Sequence, residues 1–126
     1  MKDEDLARGK RLRQKVLGSK YAEGSLAGVR LVSAPLHELV IRYGWGEAWE
    51  GEHLDLKTRS LLMVAMLAAL DRPKQLKVHI QGAINNGSNS GEITELLKHV
   101  AVVCGAPAAL DAGAIADDVF AAQSAG

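Results

Sequence analysis

A single cysteine, Cys104, leaves no intrachain disulfide and no dithiol redox couple open to this chain. Set beside Val102 and Val103, it reads as a small apolar core residue. Aromatic residues make up only 4% of the sequence, and Trp45 and Trp49 hold most of that surface. Neither sign of charge dominates: 15 Lys and Arg are matched by 15 Asp and Glu. Nucleic acid is therefore a poor partner, since neutralising phosphates takes clustered cations. The densest basic stretch (Arg8, Lys10, Arg11, Arg13 and Lys15) is spread around a helix axis and reads as a solvated face. A nucleotide-binding loop, a strand-like alternation, a linker and a repeat are all missing. His37, His53 and His99 share no spacing with carboxylates or with one another, so no metal site is expected. The N-terminus is charged and lacks the apolar stretch of a signal peptide. A cytoplasmic protein is the expectation.

What is there is helical. At 126 residues the chain is expected to form one domain over 1–126. Leu6, Leu12, Val16 and Leu17 recur at helical spacing over residues 3–17, and Gly18 ends that helix. Residues 18–32 read as a loop with room for one short helix. Ser33 and Pro35 start a helix that runs to Glu50, weakened by Gly44 and Gly46. Asp55 precedes a helix over 56–70, Asp71 caps another that ends at Gly87, Ser88 or Ser90 starts a third that ends at Gly105, and Pro107 opens an Ala-rich last helix ending near Gln123. The fold predicted is all-α, a compact bundle of about six helices around a central buried one.

That central helix carries an apolar run from Leu61 to Leu70. It rises only about 15 Å, half of a bilayer core, so it cannot span a membrane. It has no polar stripe either, so every side must be covered. A chain with so few helices cannot surround it alone, which predicts a homo-oligomer.

Few polar groups interrupt this apolar chain. Arg59 lies in the first turn of the buried helix, where a cation opposes the helix dipole. It is either half of an ion pair or a clamp for an anion, since guanidinium grips carboxylate in a planar, two-pronged way. His79 is in register with Leu76, Ile80 and Ala83. It is either a satisfied core histidine or a proton donor, the commonest use of imidazole near neutral pH. Gln75 falls one turn earlier on the same face. Trp45 and Trp49 are one turn apart and stack on one side of their helix, as core or as pocket wall, with Glu47 turned the other way. Asn85-Asn86-Gly87 reads as a left-handed helix cap.

In order along the chain, Trp-Gly-x-x-Trp from Trp45, Arg59-Ser-Leu, Ala65-Met-Leu, Leu76-Lys-x-His79, Ala83-x-Asn-Asn-Gly87, Glu92-Ile93 and Cys104-Gly-x-Pro-Ala-Ala resemble the 4-carboxymuconolactone decarboxylases. Each motif alone is weak, and the ordered set is specific. A related branch, the alkyl hydroperoxidase D-type proteins, carries a redox Cys-x-x-Cys where Arg72 and Gln75 stand here, so thiol peroxidase activity does not carry over. The resemblance implies a ring of subunits, a hexamer or a trimer, that works without metal or organic cofactor. It implies a small anionic lactone as substrate, in a decarboxylation belonging to protocatechuate catabolism. It further implies that His79, Arg59 and Gln75 carry catalysis, with Trp45, Glu47, Trp49 and Asn85 around the substrate. Two positions depart from the family: Gln75 stands where Glu is usual, and Val103 where Tyr is common. Gln75 can hydrogen-bond but cannot titrate. A lactone or enol isomerase on the same fold, and a non-catalytic binder of an aromatic acid, are the alternatives.

Overall fold

A computed structural model describes residues 3–125. Among them the chain forms helices and turns only, so the all-α expectation holds. The elements are α1 (Asp3–Leu17), α2 (Ser19–Gly24), α3 (Ser33–Val40), a π-helical turn (Ile41–Trp45), a 3-10 turn (Ala48–Glu50), α4 (Leu56–Ala69), α5 (Pro73–Asn85), α6 (Ser90–Cys104) and α7 (Ala106–Ala125). They make two compact units, Met1–Leu56 and Lys57–Gly126.

In the first unit α1 packs against the π turn. The approach is close because two glycines meet there. A Cβ on Gly9 would collide with the Ile41 carbonyl oxygen, and one on Gly46 would run into the carbonyls of Arg42 and Asp5. The continuous helix predicted to Glu50 does not form. After Val40 the chain widens, so that the Gly46 amide donates to the Ile41 carbonyl five residues back, at 2.8 Å. Arg8 binds this turn from α1, donating to the Gly46 carbonyl at 2.6 and 3.1 Å and pairing with Asp5 and Glu50. Arg13 is buried. It donates to the Ala22 carbonyl at 2.9 Å and to Ser25 Oγ at 2.6 Å, and stands 5.8 Å from the Tyr21 ring. The basic stretch of α1 is thus solvated only in part: Lys10, Arg11 and Lys15 are exposed, whereas Arg8 and Arg13 fasten α1 to its neighbours.

The second unit has one core, built from Val64 and Ala68 of α4, Leu76, Ile80 and Ala83 of α5, Ile93, Leu97 and Val100 of α6, and Ala112, Ala116 and Val119 of α7. α7 packs on both α5 and α6. Gly87 and Gly105 end their helices as expected, at φ +97° and +104°, conformations that side chains with a Cβ rarely adopt. Asp71 does not cap α5. It takes φ +56°, a left-handed bend that Asp tolerates better than most residues, and Arg72 is the residue flanking the helix.

The cap of α6 is Asn89 rather than either neighbouring serine. Its side chain accepts from the Glu92 amide at 2.9 Å, and Glu92 accepts from the Asn89 amide at 3.0 Å, a reciprocal capping box. Glu92 also meets Lys57. The hydrogen bond from Lys57, then that from the Asn89 backbone, holds the Glu92 carboxyl below its ordinary range. Its contribution is therefore present above the unfolded carboxylate range and is lost as pH falls through the folded one. Asn89→Ala is expected to cost about 1 kcal/mol, read as a lower urea midpoint at unchanged slope.

One burial expectation is corrected. Cys104 is exposed, with Val102 and Val103 at 85% and 81%, because this last turn of α6 faces away from the core that Val100 enters. Within the chain α4 is covered on one side only. Ser60, Val64 and Ala68 are buried, while Leu62, Met66 and Leu70, on the opposite stripe, are exposed at 45%, 50% and 62%.

Candidate functional site

The residues singled out from the sequence fall in both units. In the first, Trp45 and Trp49 are buried and stacked, ring centroids 4.5 Å apart at 24°. The stack forms although no regular helix joins them, because the widened turn and the following 3-10 turn bring the rings into register. Glu47 between them is exposed, at φ −124° and ψ −61°.

In the second unit, His79 is buried in the middle of α5. Its neighbours in the sequence register, Leu76, Ile80 and Ala83, are all core residues. Gln75, one turn earlier, is exposed in the first turn of α5. Arg59 is half-buried in the first turn of α4, beside Ser60, which is fully buried. Asn85 is exposed at the end of α5, where its Oδ1 accepts from the Gln81 amide at 3.0 Å.

Sequence reasoning missed the polar contact that joins these helices. Asn86, not Asn85, turns inward, and its amide donates to Ser60 Oγ at 2.9 Å. The bond ties Ser60 near the start of α4 to Asn86, the residue that follows α5. A signal was available: Ser60, Val64 and Ala68 fall at i, i+4 and i+8, the stripe that α4 buries. His79 precedes Asn86 by two helical turns, on nearly the same face and about 10 Å further along the axis.

Ser88 adds a buried polar atom nearby in sequence. Its amide donates to the Ala83 carbonyl at 2.9 Å, while its hydroxyl is buried with no hydrogen-bond partner among the described residues. Also among the described residues, no group of three or more His, Cys, Asp or Glu could hold a metal ion, and no helix is long and apolar enough to cross a membrane.

Comparison with known sequences is consistent with the order of motifs along the chain. Residues 34–118 match the profile of the carboxymuconolactone decarboxylase family. A 4-carboxymuconolactone decarboxylase of Acinetobacter baylyi is 35% identical over 121 residues, 95% of this chain and 90% of that protein. A nitrosuccinic acid decarboxylase of Metarhizium robertsii is 38% identical over 104 residues, 82% of this chain and 73% of that protein.

Proposed function

From the premise that this chain belongs to the carboxymuconolactone decarboxylase family, we propose that it is a carboxy-lyase acting on 4-carboxymuconolactone, with His79 as proton donor. The burial of the His79 imidazole on the apolar face of α5 carries this reading. A decarboxylase needs a place where a carboxylate gains little from water and a proton can be delivered to carbon.

In such a lactone the carbon–carbon bond to the carboxylate breaks and carbon dioxide leaves. The electron pair passes through the ring alkene onto the lactone carbonyl oxygen, giving an oxyfuran-like dienolate. The ring is its own electron sink. His79 then delivers a proton to the α carbon, which gives the enol-lactone, and water reprotonates the imidazole. Arg59 holds either the acetate arm or the developing oxyanion. Gln75 is assigned to catalysis beside His79, as a hydrogen-bonding group that cannot titrate, and Asn85 to substrate positioning. Copies of the chain assemble into an oligomer that covers the Leu62, Met66 and Leu70 stripe of α4.

A second reading keeps the reaction type and changes the substrate. It is favoured by the 38% identity to a protein named for nitrosuccinic acid. There a nitro group would take the electron pair in place of the lactone carbonyl, and the same donor would protonate carbon. Supplying the purified chain with each acid and following carbon dioxide and product decides between them. Turnover of the lactone above the buffer rate is expected, and its absence overturns the substrate assignment.

Arg59→Ala reports which oxygen the guanidinium holds. If it binds the acetate arm, KM rises at nearly constant kcat. If it stabilises the oxyanion, kcat falls roughly 100-fold or more. Unchanged values of both would remove Arg59 from the site.

A further inference from the structure

The turn that closes α5 holds a chemically reactive pair, Asn86-Gly87, that the decarboxylase reading leaves unused. Asparagine before glycine is prone to lose ammonia, because glycine has no Cβ to shield its own amide nitrogen. That nitrogen attacks the asparagine Cγ. The new N–C bond closes a five-membered imide, and the Cγ–Nδ2 bond breaks to release ammonia. Water then opens the imide at either carbonyl, which leaves an aspartyl or an isoaspartyl residue. Neither an oxidant nor a reductant takes part. The glycine itself is demanded by the fold, since position 87 ends α5 at φ +97°.

Three features of the folded turn oppose this reaction. The attacking group is occupied: the Gly87 amide donates to the Ile84 carbonyl at 3.0 Å, and the next amide, of Ser88, to the Ala83 carbonyl at 2.9 Å. The backbone is turned the wrong way as well. Ring closure needs the Gly87 nitrogen eclipsed with the Asn86 Cβ, and ψ 10° at Asn86 sets the two well apart. Finally, the leaving amide is held, because Asn86 Nδ2 donates to Ser60 Oγ at 2.9 Å. Ser60 is fully buried on the stripe of α4 that enters the core. The first two features lie within the turn and vanish together when it opens. Of the three, the bond to Ser60 alone fastens the turn to another helix.

We infer that Asn86 is a deamidation site gated by its hydrogen bond to Ser60, converted when the end of α5 opens locally and spared while it is closed. Gly87 is exposed, so water reaches the imide once it forms. Conversion runs one way. An ionised carboxylate offers Ser60 no donor, and it stands at a helix C-terminus, where the dipole disfavours negative charge. The isoaspartyl form also lengthens the backbone between α5 and α6. Each chain thus carries a permanent mark of past openings, independently of any lactone turnover.

Purified chains kept in mildly alkaline buffer, folded or in urea, test the gate. Conversion at position 86 is followed by peptide mass spectrometry and by released ammonia. Folded wild type is expected to convert at least about 100-fold more slowly than the same chain in urea. In urea Asn86 should outpace Asn85 and Asn89, neither of which precedes glycine. Ser60→Ala should leave the urea rate unchanged and raise the folded rate roughly tenfold, the factor set by the upper range for one hydrogen bond. Val64→Ala takes core volume from the same helix but spares the bond, and should keep the wild-type rate where it remains folded. Folded wild type reacting as fast as in urea would overturn the inference. So would a Ser60→Ala rate equal to wild type, or an equal acceleration by Val64→Ala.

Discussion

Replacing His79 by alanine is expected to lower kcat on 4-carboxymuconolactone by about 1000-fold, the middle of the range for loss of a positioned proton donor. KM should change little, since His79 is assigned to proton delivery and not to ground-state binding. His79 is buried, so alanine also leaves a void. His79→Gln separates the two effects, because it retains bulk and hydrogen bonding but cannot act as an acid near neutral pH. The glutamine variant should match wild type in denaturant midpoint and solution mass while sharing the loss in kcat. A glutamine variant with kcat within tenfold of wild type would move proton delivery to another group. Carbon dioxide release and formation of the enol-lactone should be followed separately. A variant that still loses carbon dioxide but forms the product slowly would place His79 in the protonation step alone.

Gly9→Ala is expected to destabilise the chain by about 3 kcal/mol, at the upper end for overpacking, because the added methyl meets backbone rather than a movable side chain. The Ile41 carbonyl oxygen is inside contact distance and the Gly46 amide nitrogen lies at 3.0 Å from the added Cβ. Neither can rotate away, as both belong to the widened turn that Arg8 holds. Gly46→Ala should behave similarly, from the other side of the same approach. Gly24→Ala is the control: nothing lies within 4 Å of its added Cβ, and the change should stay within about 1 kcal/mol of wild type. A urea midpoint for Gly9→Ala equal to that of the control would mean that α1 and the turn are free to move apart. The injury should reach the tryptophan stack as well, since Trp45 adjoins Gly46, and fluorescence of the native state reports it.

The helices were legible wherever local chemistry settles the matter. α1 ends at Leu17 because Gly18 follows it, and α5 and α6 end where Gly87 and Gly105 take left-handed conformations. Where several residues compete, composition alone did not decide. Ser88, Asn89 and Ser90 can each cap a helix, and the winner is the one with a glutamate three residues on, a pattern the sequence does contain. The break after Val40 was hidden because Gly44 and Gly46 weaken a helix without saying how it will fail. Its form depends on α1 lying against it, a contact distant in sequence. Cys104 was misjudged for a related reason, since apolar character tells which side chains seek cover and not which find it within one chain. For the site, the register of His79 with three core residues was readable directly. The Ser60–Asn86 hydrogen bond was not, because it joins residues 26 positions apart.

The π turn has a consequence for how this part of the chain tolerates insertions and deletions. Closing a ring five residues back takes up one position more than an α-helical turn requires. That spare position is slack in the phase of the chain, and removing Gly44 would draw it in. The shortened segment could then continue α3 as a regular helix, turning everything after it by about 100° about the axis. Trp45 and Trp49 both follow Gly44, so the stacked pair would turn together and leave the buried position it now holds.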